Sequence, residues 1–369
     1  MATIVVAGAL ANKDLNGGEA WVRLSWVEGL RKLGFDVWFV EQIAKRTAGP
    51  AAFFERITNE FGLAERSALI DEGETIPEDL LDVAAEAVLL VNISGNLTLE
   101  PLFGRFRRKA FVDIDPGFTQ FWHASGDPGA RLDGHDYYFT IGENIGRPDC
   151  PIPSNGIRWL STRQPVVLDQ WPMTNSAPSD RFTTVANWRG PYGRVEHDGR
   201  TYGLKLDEFR KFIELPKRAS GTFELALAIH PADTRDIELL ERNGWRLADP
   251  VAAAADPASF RDYVQASGAE FSVAQGIYVE TRNGWFSDRT ARYLASGKPV
   301  LVQDTGFGDH YPVGEGLLAF RTMKEAVAGA GQIVEDYERH ARSARALAEE
   351  HFDSDKVLGR LLEDVEVAP

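Results

Sequence analysis

The feature that most constrains this chain is a repeated pattern of short apolar runs, each ending in a polar loop that contains glycine. Residues 3–10 form the first run and end in the loop 11–18, ANKDLNGG. From Glu19 the residues Val22, Trp26, Leu30 and Leu33 recur at helical spacing, Gly34 stops the helix, and residues 36–40 form a second run. Runs that are apolar throughout and joined by an amphipathic helix predict parallel strands, buried on both faces, with a right-handed crossover. The pattern continues with helices over 51–61 and 76–87 and a strand over 87–93 that ends in Ser94-Gly95-Asn96. Strands over 109–114 and 136–141 follow, ending in Asp115-Pro116-Gly117 and Gly142-Glu143-Asn144.

Periodicity is lost between residues 148 and 181, and TNSAPS at 174–179 reads as a linker. A second series then begins, with strands over 182–186, 223–229, 271–274 and 299–302, a helix over 235–243 and a helical tail over 323–365. A chain of 369 residues is long enough for two such domains, each with its own core. The expected fold class is therefore α/β, with two Rossmann-like domains facing an interdomain cleft.

Composition excludes several function classes. With a net charge of −15 and dispersed basic residues, no nucleic-acid partner is expected. Cys150 is the only cysteine, which rules out an intrachain disulfide and a Cys-rich zinc site. The seven histidines are scattered, so no metal site is expected. No window has the roughly 18 apolar residues of an integral membrane segment. Residues 2–10 lack a basic n-region and read as a core strand, which points to a cytoplasmic protein. Gly-x-Gly-x-x-Gly, the Walker lysine motif and Gly-x-Ser-x-Gly are all absent, which weakens redox, ATPase and hydrolase readings.

The stretch 284–308, GWFSDRTARYLASGKPVLVQDTGFG, concentrates the candidate chemistry. Ser287 suits an N-cap, Asp288 a first turn and Gly297 a helix stop. Residues 299–302 then form a strand that opens onto the loop 303–308. The free N–H groups of such a helix start predict a phosphate site at Ser287, Asp288 and Arg289.

Asn16-Gly17-Gly18-Glu19-Ala20, followed by Leu24, Leu30, Gly34-Phe35-Asp36-Val37 and Phe39-Val40, resembles the opening of glycosyltransferases of the GT-B fold. Glycine there lets the backbone approach a diphosphate or sugar closely. Ala295-Ser296-Gly297-Lys298-Pro299-Val300 is similar to the family's most diagnostic segment. The resemblance implies an acceptor domain over 1–175, a nucleotide-sugar donor domain over 176–345 and a C-terminal helix over 346–369 crossing back to the first domain. It also implies metal-independent transfer of a sugar from a nucleotide diphosphate sugar to a small-molecule or lipid-like acceptor. The nucleotide sugar is then a co-substrate, with no bound cofactor.

Under that resemblance Arg189 and Lys205 neutralise the leaving diphosphate, with Ser287 and Asp304-Thr305-Gly306 beside it. Gly17 and Gly18, with residues 118–123, take the acceptor. Retaining members carry two glutamates eight positions apart. Aligned on Gly297, the second place holds Arg292, which would then face the phosphates; Glu280 and Asp288 have the spacing only if the loop shifts by four residues. Inverting members use a histidine or aspartate base, and here Asp115 and His123 are the candidates, one activating the acceptor hydroxyl and the other orienting it. Otherwise Asp115 caps a turn and His123 packs among Phe118, Phe121 and Trp122; the alternative use of those rings is a platform on which the acceptor stacks. A nucleotide-sugar epimerase of the same architecture and a non-catalytic nucleotide- or sugar-binding protein are the alternatives.

Overall fold

The computed structural model describes residues 1–174, 180–190 and 192–368, so the expected linker lies outside it except for Thr174. The chain divides into two compact units. One comprises Met1–Gly146, Pro153–Val167 and Asp353–Pro369; the other comprises Arg147–Ile152 and Leu168–Phe352.

The first unit is built on seven strands: β1 (Thr3–Ala7), β2 (Asp36–Ile43), β3 (Ser67–Asp71), β4 (Leu89–Ile93), β5 (Lys109–Asp113), β6 (Tyr137–Thr140) and β7 (Trp159–Ser161). All pair in parallel, in the order β3-β2-β1-β4-β5-β6-β7. The central strand β4 is buried at every position, as a strand covered on both faces must be. The edge strands β3 and β7 were not legible in the sequence, because β3 begins and ends on a polar residue and β7 spans only Trp159–Ser161.

The second unit holds β8 (Arg181–Asn187), the antiparallel hairpin β9 (Val195–His197) and β10 (Arg200–Tyr202), and then β11 (Thr222–Ala228), β12 (Arg246–Ala248), β13 (Ala269–Ser272), β14 (Val300–Gln303) and β15 (Leu317–Phe320). Six of these form a parallel sheet in the order β12-β11-β8-β13-β14-β15. Its core is aromatic, with Phe182 stacked on Phe223 and Phe271 on Phe320.

Both sheets run outward in two directions from a central pair. In such open sheets the crevice beyond the strand C-termini, where the order reverses, is where ligands bind. That place lies after β1 and β4 in the first unit and after β8 and β13 in the second.

Two helix boundaries differ from the sequence reading. The helix Gly17–Lys32 takes in the two glycines that the sequence assigns to a loop, because the Asn16 side chain accepts the Glu19 N–H and sets the N-terminus there. The tail is three helices, Met323–Glu335, Tyr337–His351 and Ser354–Asp364. The last belongs to the first unit and packs on Gly17–Lys32 so closely that a Cβ on Gly29 would lie 2.5 Å from Leu358. Among the described residues no helix is long and apolar enough to cross a membrane.

Candidate functional site

In the second unit the loops leaving β8 and β13 interlock. Gly190, two residues past Trp188, has φ +85°, and a Cβ there would sit 1.8 Å from Nε2 of Gln275. Oε1 of Gln275 in turn accepts the backbone N–H of Lys205 at 2.8 Å. Gly276 lies against the backbone of Gly203, whose carbonyl oxygen would be 2.7 Å from a Cβ. Trp188 is anchored from behind, its indole N–H donating to Asp236 at 2.9 Å, and Asp236 also takes two donors from Arg210.

This framework fixes the start of the helix Lys205–Arg210 at the mouth of the crevice. The Lys205 ammonium is half-buried and has no hydrogen-bond or ion-pair partner among the described residues. Desolvation, reinforced by the Arg289 cation, pulls its pKa down from 10.5 to about 7, against the opposing pull of Glu270 and Asp288. A cation held without a partner at a sheet's switch point is a ready site for an anion.

Lys205, Asp288 and Arg289 are therefore neighbours. Arg289 is nevertheless a strut: it donates to Glu270 at 2.6 Å, to the Val185 carbonyl at 2.9 Å and to Ser272 at 2.6 Å, tying the helix Asp288–Ala295 to β8 and β13. Burial pushes the Glu270 carboxyl up even with Arg289 against it. Ser287 holds the N-cap position expected of it, but its side chain makes no cap hydrogen bond.

Arg292 does not face a phosphate site. Its side chain is wholly buried, it donates to the Asp288 carbonyl at 2.8 Å and carboxylate at 3.0 Å, and it lies over the Trp171 ring. Asp288, at the site, is thus also the inner anchor of that arginine. Arg189 is exposed and pairs with Asp233. Glu280 is exposed on the helix Gly276–Thr281 and accepts the Gly203 N–H at 3.2 Å.

The loops 282–287 and 304–306 are tied together. Gly284 N–H donates to the Thr305 carbonyl at 2.9 Å, and the Thr305 hydroxyl donates to the Trp285 carbonyl. Asp304 accepts from Arg282 at 2.8 Å, from Arg321 at 2.5 Å and from the Gly306 N–H at 2.8 Å. Burial raises its pKa, but these donors prevail and hold the carboxyl below its ordinary range. Its charge is neutralised in place, with two exposed guanidinium groups beside it.

In the first unit the segment 118–123, expected to take the acceptor, lies in the helix Phe118–Ser125. The cause is Asp113 at the end of β5, which is fully buried and accepts from Thr119 at 2.7 Å, Gln120 at 2.8 Å, Thr140 at 2.8 Å and the Asp115 N–H at 3.1 Å. Burial pushes the Asp113 carboxyl up against those four bonds. Asp115 precedes the helix and His123 sits in its last turn, and no hydrogen bond or ion pair joins the two. His123 Nδ1 is buried without a hydrogen-bond partner among the described residues. Phe118 and Phe121 are both 2% exposed, so they are core and not an acceptor platform.

Gly17 and Gly18 open the first turn of their helix beside a loop that the sequence reading missed the reason for. The buried Glu41 carboxylate at the end of β2 accepts the backbone N–H groups of Leu10 at 2.8 Å, Ala11 at 2.5 Å and Asn12 at 2.8 Å. Burial raises the Glu41 pKa in spite of them. The only sequence signal was an acid inside an otherwise apolar run, Phe39-Val40-Glu41.

No known protein family matches the sequence, and no curated protein matches it either. Solved structures do match. The chain is similar to an alpha-glucosyltransferase in complex with UDP-glucose and DNA containing an abasic site, at 12% identity and TM-score 0.65, over 99% of each chain. It is similar to the Anabaena protein HepE in complex with UDP and glucose, at 11% identity and TM-score 0.62, over 99% of this chain and 100% of that one. It is also similar to sucrose-phosphate synthase from Thermosynechococcus elongatus, at 14% identity and TM-score 0.57, over 99% of each chain. At these identities the likeness establishes the fold: two Rossmann-like domains in one chain, the GT-B fold that the sequence motifs resemble.

One expectation is overturned. Structures sharing this fold over nearly the whole chain are complexes with DNA, so the acidic balance does not exclude nucleic acid. Net charge is a sum over the whole chain, whereas phosphate contacts are made by a local set of cations.

Proposed function

We propose that the chain is a glycosyltransferase that moves a sugar from a nucleoside diphosphate sugar to an acceptor hydroxyl, with the second unit holding the donor and the first the acceptor. The observation that carries this is the Lys205 ammonium, half-buried and without a hydrogen-bond or ion-pair partner among the described residues, at the switch point after β8 and β13. An anionic diphosphate supplies the charge that site lacks. As the glycosidic bond breaks, negative charge grows on the leaving diphosphate, and a half-buried cation already in place stabilises it without a metal. Arg189, Ser287 and the first N–H groups of the helix Asp288–Ala295 are the further candidates for the phosphates. Arg282 and Arg321, beside Asp304-Thr305-Gly306, add positive potential.

In the first unit we assign the acceptor to Gly17, Gly18 and the region of Asp115 and His123. His123 is the candidate base, through the edge of its ring away from the buried Nδ1. Asp115 has no bond to His123 and does not orient it. UDP and UDP-glucose are bound by structures of the same fold, which makes UDP-sugars the first donors to try.

The test is a thermal-shift panel of UDP, ADP, GDP and their glucose conjugates on the wild-type protein and Lys205→Ala. A ligand at about 100 times its Kd adds about 2.7 kcal/mol, which is a readily measured rise. At least one nucleotide should raise the melting temperature of the wild type and lose most of that rise in Lys205→Ala. No shift with any of them refutes the proposal. Product analysis with sugars, alkyl glycosides and a DNA duplex as acceptors then identifies the second substrate; an epimerised nucleotide sugar formed without an acceptor argues against transfer.

A further inference from the structure

The loop between β1 and the helix Gly17–Lys32 is pinned at both ends. Glu41 holds the N–H groups of Leu10, Ala11 and Asn12, the Lys13 and Asp14 N–H groups donate back to Leu10 and Ala11, and Asn16 caps the helix through Glu19. Between these fixed points stands Leu15, 62% exposed, with φ +55°. Both facts are unusual together. The left-handed region is unfavourable for a branched L-residue and ordinary for glycine or asparagine. An exposed leucine gains nothing from burial to offset that strain. The asparagine that would suit the position is present, but one residue later, as the helix cap. Strain of this kind in a rigidly held, exposed loop residue points to a role in ligand contact.

The chemistry of the loop narrows the ligand. Its amides at 10–12 already serve Glu41, so that end of the loop offers no cradle for a phosphate, and Leu15 presents an apolar side chain beside two glycines that let a ligand come close. We propose that Leu15 is the rest for the hydrophobic part of the acceptor, so that the protein prefers acceptors whose hydroxyl lies next to an alkyl or aryl group. This inference rests on the glycosyltransferase reading and names the acceptor class for it.

The test measures the affinities of methyl and n-octyl β-D-glucopyranoside, the latter below micelle formation, for the wild type, Leu15→Met, Leu15→Asn and Leu15→Gly, together with each melting temperature. The octyl compound should bind the wild type and Leu15→Met about tenfold more tightly than the methyl compound, as burial of a leucine-sized apolar contact implies. Leu15→Asn and Leu15→Gly should lose most of that ratio, keep the methyl affinity and melt at a higher temperature, since both residues relieve the backbone. Equal affinities in the wild type, an unchanged ratio in Leu15→Asn, or a lower melting temperature in both Leu15→Asn and Leu15→Gly overturns the inference. A UDP-induced thermal shift on the same samples separates the two claims. With the shift present and no octyl preference, only the role of Leu15 fails. With no nucleotide shift and a leucine-dependent octyl preference, the transferase reading fails and the apolar contact stands.

Discussion

Oε1 of Gln275 accepts the backbone N–H of Lys205 across 70 positions of sequence, so the loop that leaves β13 decides where the helix carrying the unpartnered cation begins. The ammonium is thus held in place by a bond that does not touch its charge. Replacing Lys205 should accordingly separate binding from folding. Lys205→Met is expected to abolish nucleotide stabilisation in a thermal-shift assay and to raise the intrinsic stability by on the order of 1 kcal/mol near pH 7, because a desolvated charge is removed. A variant that loses both would show the lysine to be structural.

The pH dependence of the same residue has a definite sign. Its folded pKa of about 7 lies below the ordinary 10.5. Above about pH 10.5 the amine is neutral in both states and costs nothing. Between pH 10.5 and 7 the unfolded chain holds a proton that the folded one does not, so this group makes stability fall as pH falls, and the full cost is present below pH 7. Binding of a diphosphate restores the charge. Calorimetry of UDP in buffers of different ionisation enthalpy should therefore report proton uptake at pH 8 to 9 and little below pH 6.

Gly190→Ala should disrupt the framework from its other side. The residue is left-handed, which costs about 1–2 kcal/mol for alanine, and the new Cβ meets the Gln275 amide. Chemical denaturation should show a loss of at least that size. Adding Gln275→Ala removes the clash and leaves the backbone term, so the double variant should recover part of the loss relative to the sum of the singles.

Asp113→Ala leaves the donors of Thr119, Gln120, Thr140 and Asp115 facing a buried gap and should cost about 3 kcal/mol in a urea titration. The effect belongs to folding of the first unit, so nucleotide affinity of the surviving folded protein should be unchanged.

Arg292→Met tests the opposite assignment from Lys205. The guanidinium is buried against Asp288 and Trp171, and methionine fills similar space, so the change should lie within about 2 kcal/mol in stability and leave UDP affinity within about threefold. A loss of UDP binding a hundred times larger would return Arg292 to the ligand.

The sequence made the sheets legible because runs such as Leu89–Ile93 are apolar on both faces, a pattern that only a doubly covered strand needs. It named Lys205, Ser287 and the 304–306 loop as candidates through a resemblance in order and spacing. What it concealed are partners set by folding. Glu41 meets Ala11 from 30 positions away, and Gln275 meets Lys205 from 70, so neither leaves a local trace. Arg292 misled for a different reason. An arginine beside a phosphate-like turn reads as a ligand, since a fully buried one is rare. The helix at 118–125 was hidden because its cause is a side chain: Gln120 accepts the Gly117 N–H at 2.6 Å, and Asp113 gathers the next turn.

The packing of the helix Ser354–Asp364 on Gly17–Lys32 also sets a timetable for synthesis. The first unit's seven strands have all left the ribosome when residue 167 emerges, yet the helix that covers Gly29 follows about 185 residues later. At 5–20 residues per second that is a wait of roughly 10–40 s with an apolar face uncovered. The N-terminal half of this protein is therefore the last to be finished, and a ribosome-stalled chain lacking the final helix should be the form most readily captured by chaperones.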